Sequence, residues 1–196
     1  MTPLIAAARL LGAVNGAVLG AGRMLGVLAI AAMVAATLLQ VFCRYVLGNA
    51  LPWPDEAARF CMLWMTGLMA PQAFRAGGFV AIDTFDTLLP GRGVQALQLV
   101  FLAISLAVLV IAARIGLSEV TGIGGRFATA SLYLPVSWGL DQWYRVPRSW
   151  MMASLLVGVW LLILVNIELM LRRVLALLGH EGDLPEIAGA GHGGAE

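Results

Sequence analysis

The sequence contains no lysine; all twelve of its basic residues are arginine, a compositional bias that carries little functional information. Charge of either sign is scarce. Charged residues make up 12% and hydrophobic residues 61%, against about 25% and ~45–50% in soluble domains. That balance excludes one enlarged soluble core and is the composition of a membrane protein. The net charge of +1 supplies no basic field, so nucleic acid is not expected as a partner. The two histidines, His180 and His192, lie in or beside the C-terminal tail, which excludes a bis-histidine haem held between helices. Cys43 and Cys61 are too few for a metal framework, and thiols beside apolar spans are usually buried and inert. No Ser/His/Asp set, phosphate loop or metal spacing is present. Asp83 and Asp86 read as turn residues. No catalytic, substrate-binding, metal or cofactor site is expected, and the chain does not read as an enzyme.

What is present is a series of long uncharged runs. Twenty residues separate Arg23 from Arg44, twenty-one separate Arg92 from Arg114, and twenty-three separate Arg148 from Arg172, with Glu168 the one charge inside them. About 20 apolar residues cross the hydrocarbon of a bilayer. Only fifteen residues lie between Arg59 and Arg75. Pro54 suits a first helical turn, however, and Asp55 and Glu56 suit the positive end of a helix dipole. A helix from Pro54 to Arg75 would be about 33 Å long, and its two acids stand four and three residues before Arg59, at pairing distance on one face. The expected fold is an all-α integral membrane protein with four spans, at about 24–43, 56–75, 94–113 and 148–171, within a domain covering 23–173.

Residues 1–22 place Leu4, Leu11, Val18 and Leu25 on one helical stripe, with Arg9, Gly16, Gly20 and Arg23 roughly opposite. This predicts an interfacial amphipathic helix that runs into the first span. Pro147 is placed to begin the last helix, and Trp138, Trp143 and Tyr144 are interface anchors by type. Residues 174–196, glycine-rich and acidic, read as a flexible tail. Four spans put both termini on one side, but the arginines divide six against six between the sides, so charge does not orient the chain.

Transporters and pumps that carry their own ion site place acids or histidines near the bilayer midplane. These spans have none there. Glu168 lies four residues before Arg172 and reads as its helical pair. Pro71 inside the second span frees a backbone carbonyl, which favours a helix buried against protein. Small residues at packing intervals, such as Ala31 and Ala35 or Ala103 and Ala107, permit close helix approach.

The charged interlude "RYVLGNALPWPDEAARFCMLW", Arg44 to Trp64, resembles the signature of the small membrane subunit of tripartite ATP-independent periplasmic (TRAP) transporters, the DctQ type. The matching positions are Arg44, Tyr45, Pro52, Trp53, Asp55, Glu56, Arg59 and Trp64. "RAGGFVAID" is similar to a second family motif through Arg75, Gly77 and Asp83. Phe79 stands where the family has a histidine, so no role of that histidine attaches here. "TASLYLPVSWGLDQWYRVP", Thr129 to Pro147, gives a third match.

The resemblance implies a bacterial inner-membrane subunit with both termini cytoplasmic. Its partners would be a large multispan subunit, a periplasmic substrate-binding protein and membrane lipids. It would brace the large, sodium-driven, elevator-type subunit during import of an organic acid. Arg44, Tyr45, Trp53, Asp55, Glu56, Arg59, Arg75 and Asp83 become partner-interface or interfacial anchor residues. The competing reading, a homo-oligomeric channel or transporter, would need a polar interior face, and the spans offer only scattered Thr37, Gln40, Thr66, Gln72, Ser105 and Ser154.

Overall fold

A computed structural model describes residues 2–77, 91–135, 143–179 and 185. Within them the chain forms helix α1 at Thr2–Tyr45, α2 at Trp53–Arg75, α3 at Gly91–Thr121, the short α4 at Ile123–Arg126, and α5 at Ser149–Leu177. Strands β1 at Ala128–Pro135 and β2 at Trp143–Pro147 pair antiparallel. Among the described residues, three helices are long and apolar enough to cross a membrane: Leu4–Tyr45, Gly93–Thr121 and Ser149–Leu177. The 23-residue α2 is long enough but keeps Asp55, Glu56, Arg59 and Arg75, and it is less apolar than the other three.

Two expectations about boundaries change. The third helix does not end at about 113: α3 continues to Thr121, and among the described residues β1 and β2 form an antiparallel pair beside the helices. The aromatic and β-branched residues Thr129, Tyr133, Trp143, Tyr144 and Val146 suit a pleated pair. Pro147 closes β2 instead of opening the last helix, which starts at Ser149. The Arg148 backbone N–H donates to the Phe127 carbonyl at 2.8 Å and holds that junction.

The contacts fall into two compact units. One comprises Met1–Ala21, Ala70–Ala112 and Val159–Glu196; the other comprises Gly22–Met69 and Ala113–Gly158. In α1 the buried positions from Ala8 to Gly26 are Ala8, Gly12, Asn15, Leu19, Gly22 and Gly26, alternating steps of four and three, and Cys43 is buried near the helix end. Ala8, Gly12, Gly22 and Gly26 of this seam are small, which lets helix backbones approach in lipid. Val18 and Leu25 of the leucine-rich stripe point outward, 41% and 55% exposed.

In the second unit, α2 and α5 approach closely at glycines. A Cβ added at Gly67 would overlap the Ser154 carbonyl oxygen, and one at Gly158 would lie 2.7 Å from the Gly67 oxygen. Pro71 has no N–H to give the Gly67 carbonyl its helical partner, and Gly158 lets the α5 backbone cover that carbonyl instead. Gly158→Val is expected to destabilise the fold by about 1–3 kcal/mol through overpacking, read as a lower unfolding temperature in detergent. Gly20→Ala, where added atoms meet nothing within 4 Å, should leave it unchanged or slightly raised.

Candidate functional site

In the unit containing the hairpin, the Arg44–Arg59 interlude meets β1. The strand register shifts between the pairs Ala128↔Pro147 and Tyr133↔Arg145, so β1 spends extra residues bulging away from the ladder. A bulge leaves backbone N–H and C=O groups without cross-strand partners. Glu56, in the first turn of α2, accepts from the Ala130 N–H at 2.9 Å and from the Ser131 N–H. The Ser131 hydroxyl donates to the same carboxylate at 2.7 Å, with the Pro52 carbonyl oxygen 2.8 Å away on its other side. Arg145 takes the opposite polarity: its Nε and Nη2 donate to the Thr129 and Ala130 carbonyls at 2.6 and 2.8 Å. One anion satisfies the bulge's donors and one cation its acceptors. The guanidinium of Arg145 also lies 5.7 Å from the centroid of the Tyr133 ring. Pro52, Trp53, Ala130, Ser131, Leu132 and Tyr133 line an open groove of about 880 Å³.

The other unit carries a buried ion cluster. Glu168 on α5 is fully buried. Its Oε1 accepts from Arg75 Nη2 at 2.8 Å and Arg172 Nε at 3.1 Å; its Oε2 accepts from Arg75 Nε at 2.9 Å and Asn15 Nδ2 at 2.8 Å. A carboxylate has about four acceptor sites, and all are filled. Arg75 engages it through two parallel N–H groups, the geometry that makes arginine–carboxylate pairs strong. Arg75 Nη2 also donates to the Gly12 carbonyl at 2.8 Å. A Cβ at Gly12 would lie 3.1 Å from Glu168 Oε1 and 3.2 Å from Arg172 Nη2, so the glycine leaves room for the cluster.

The residues singled out from sequence therefore divide. Glu56 is the hairpin's anchor, and Asp55 accepts from Gln40 Nε2 at 2.8 Å. Neither acid pairs with Arg59: Glu56 is taken by donors of β1, and Asp55 accepts from the Gln40 amide. Arg59 is exposed. Arg44 is exposed and lies 5.9 Å from the centroid of the Tyr45 ring, itself 77% exposed. Trp53, 40% exposed, opens α2. Arg75 joins the ion cluster. Asp83 lies outside the described residues, as does Phe79. The cysteines at 43 and 61 are free thiols. Sequence reasoning paired Glu168 with Arg172 but missed Arg75 and Asn15. The available signal was topological: on the expected four-span plan, the ends of the second and fourth spans lie on one side, together with the start of the first.

Replacing Glu168 by Gln should cost about 3–5 kcal/mol, the penalty for stranding buried charge by removing one partner. Thermal unfolding of the purified protein would measure it, and Glu168→Gln combined with Arg75→Met should cost less than the two changes added. Glu56→Ala should speed amide hydrogen exchange at Ala130 and Ser131 by at least about tenfold, because bonds to a charged acceptor are lost.

Residues 33–176, well over half of the chain, match the family described as tripartite ATP-independent periplasmic transporters, DctQ component. That segment includes Glu56, β1, β2, Arg75 and Glu168, and it begins after Gly12 and Asn15. No curated protein and no solved structure matches the chain. With its apolar helices, the match places the chain in the DctQ family, as a multi-pass inner-membrane component of a TRAP transporter, the type that works with a large subunit and a binding protein.

Proposed function

We propose that this subunit braces a large elevator-type subunit while the latter imports an organic acid, driven by sodium and supplied by a periplasmic binding protein. In this reading α2 is a fourth, tilted span, residues 1–22 run along the membrane surface, and both termini are cytoplasmic. Arg44, Tyr45, Trp53 and Arg59 then face the periplasmic interface, where they anchor the chain and meet partners. Asp55 and Glu56 tie down the start of α2 at that surface, whereas Arg75, in the Glu168 cluster, and Asp83 are anchors on the cytoplasmic side.

The observation that carries the reading is the saturation of Glu168. An acid that binds a travelling ion or solute must exchange partners during transport. Glu168 has both oxygens committed to Arg75, Arg172 and Asn15, residues of its own chain. Such a cluster locks helices; it supports a scaffold whose moving site belongs to another subunit.

The test is purification of the tagged chain from its native membrane in mild detergent, with the co-eluting proteins identified. A large multispan partner should co-elute, and its recovery should fall when Trp53→Ala and Glu56→Ala are combined. In liposomes, the complete three-component system should take up organic acid only under a sodium gradient. Recovery of this chain alone, as an oligomer that carries solute by itself, would overturn the proposal.

A further inference from the structure

Arg59 is a cation whose nearest acids are already committed. Asp55 is bonded to Gln40 and Glu56 to β1, so the guanidinium, one turn along α2, is left exposed beside them. Next to it, Met33, Val34, Thr37 and Leu38 of α1 and Met62 of α2 line a groove of about 370 Å³. The Thr37 hydroxyl donates to the Met33 carbonyl at 2.9 Å. The groove walls therefore offer apolar surface and, as free side-chain donor, the guanidinium. Val34, Leu38 and Met62 are 47%, 63% and 55% exposed.

Position along the helices adds direction. Arg59 stands six residues after Trp53, about 9 Å along the α2 axis at 1.5 Å per residue. A tryptophan at a helix end belongs at headgroup level, and a long arginine there extends its charge toward the phosphates while its stem lies on apolar surface. From Arg59 to Met62 on α2, and from Leu38 back to Met33 on α1, the groove runs deeper into the hydrocarbon. A cation at the mouth of a dry apolar trough complements an amphiphile with one negative head and a hydrocarbon tail. We propose that this groove seats one anionic phospholipid, its phosphate on Arg59 and an acyl chain lying along Leu38, Met33 and Met62.

The test is native mass spectrometry of the full chain with its partner subunit, delipidated and then titrated with dioleoyl phosphatidylglycerol or dioleoyl phosphatidylcholine. The wild type should retain one phosphatidylglycerol in preference to phosphatidylcholine by about fivefold, the worth of one basic residue at an anionic surface. Arg59→Gln should abolish the preference, and Arg59→Lys should keep most of it. Leu38→Trp, which fills the trough, should lower retention of both lipids, whereas Arg23→Gln should change nothing. Equal retention of phosphatidylglycerol by wild type and Arg59→Gln would overturn the proposal, as would equal retention of the two lipids by the wild type or an equal loss in Arg23→Gln. The Arg59→Lys chain contains a single lysine. Carbodiimide coupling of that side chain to a carboxylate of the partner subunit would also overturn the lipid assignment and identify a protein contact.

Discussion

A carboxylate withdrawn from water keeps its charge only if every oxygen lone pair is met by donors inside the protein. Glu168 is such a group, with a relative side-chain exposure of 0%. In a low-dielectric surrounding an unpaired charge costs several kcal/mol, so three helices must present donors at one level. Arg75 closes α2 with a two-pronged contact, Arg172 reaches back one turn along α5, and Asn15 comes from α1. Two guanidiniums against one carboxylate leave excess positive charge, and the carbonyls of Gly12 and Pro185 accept from them. The registers of α1, α2 and α5 in this unit follow from that single demand.

The second unit solves a related problem for backbone. Its strand bulge exposes donors and acceptors that no ladder satisfies, and Glu56 and Arg145 take them separately. Thr129 adds a buried bond from its hydroxyl to the Val146 carbonyl at 2.7 Å. The Gly67–Gly158 contact addresses the same need where Pro71 deprives a carbonyl of its partner. A carboxylate and a guanidinium supply partners for the bulge, whereas at Gly67 the missing side chain of Gly158 allows close backbone packing.

The long helices were readable in the sequence because arginines bracket uncharged runs, and α2 was readable from Trp53, Pro54 and its first-turn acids. The partners of those acids were not. Helical spacing made Arg59 the local candidate, but an exposed helical pair contributes only about 0.3–0.5 kcal/mol, and Glu56 instead takes backbone N–H groups of β1. The hairpin escaped for another reason. Thr129 to Pro147 contains no tight-turn dipeptide, and its bulge is legible only once Glu56 is seen to fill it. Glu168 illustrates the limit of local reading most directly: Arg172 is its neighbour along the chain, whereas Arg75, 93 positions away, makes the two-pronged contact.

These separate solutions have a common consequence for function. Acids that are saturated by their own chain cannot follow a moving solute, and a strand bulge pinned by both a carboxylate and a guanidinium cannot easily shift register. The groups left facing outward are of a different kind: Arg44 beside Tyr45, Trp53 at the opening of α2, and Arg59 above an apolar trough. Each combines a charge or ring with hydrocarbon, the chemistry of a boundary between lipid, water and a neighbouring subunit. A component whose buried carboxylate is held by its own chain and whose amphipathic residues face outward fits the proposed role of a brace.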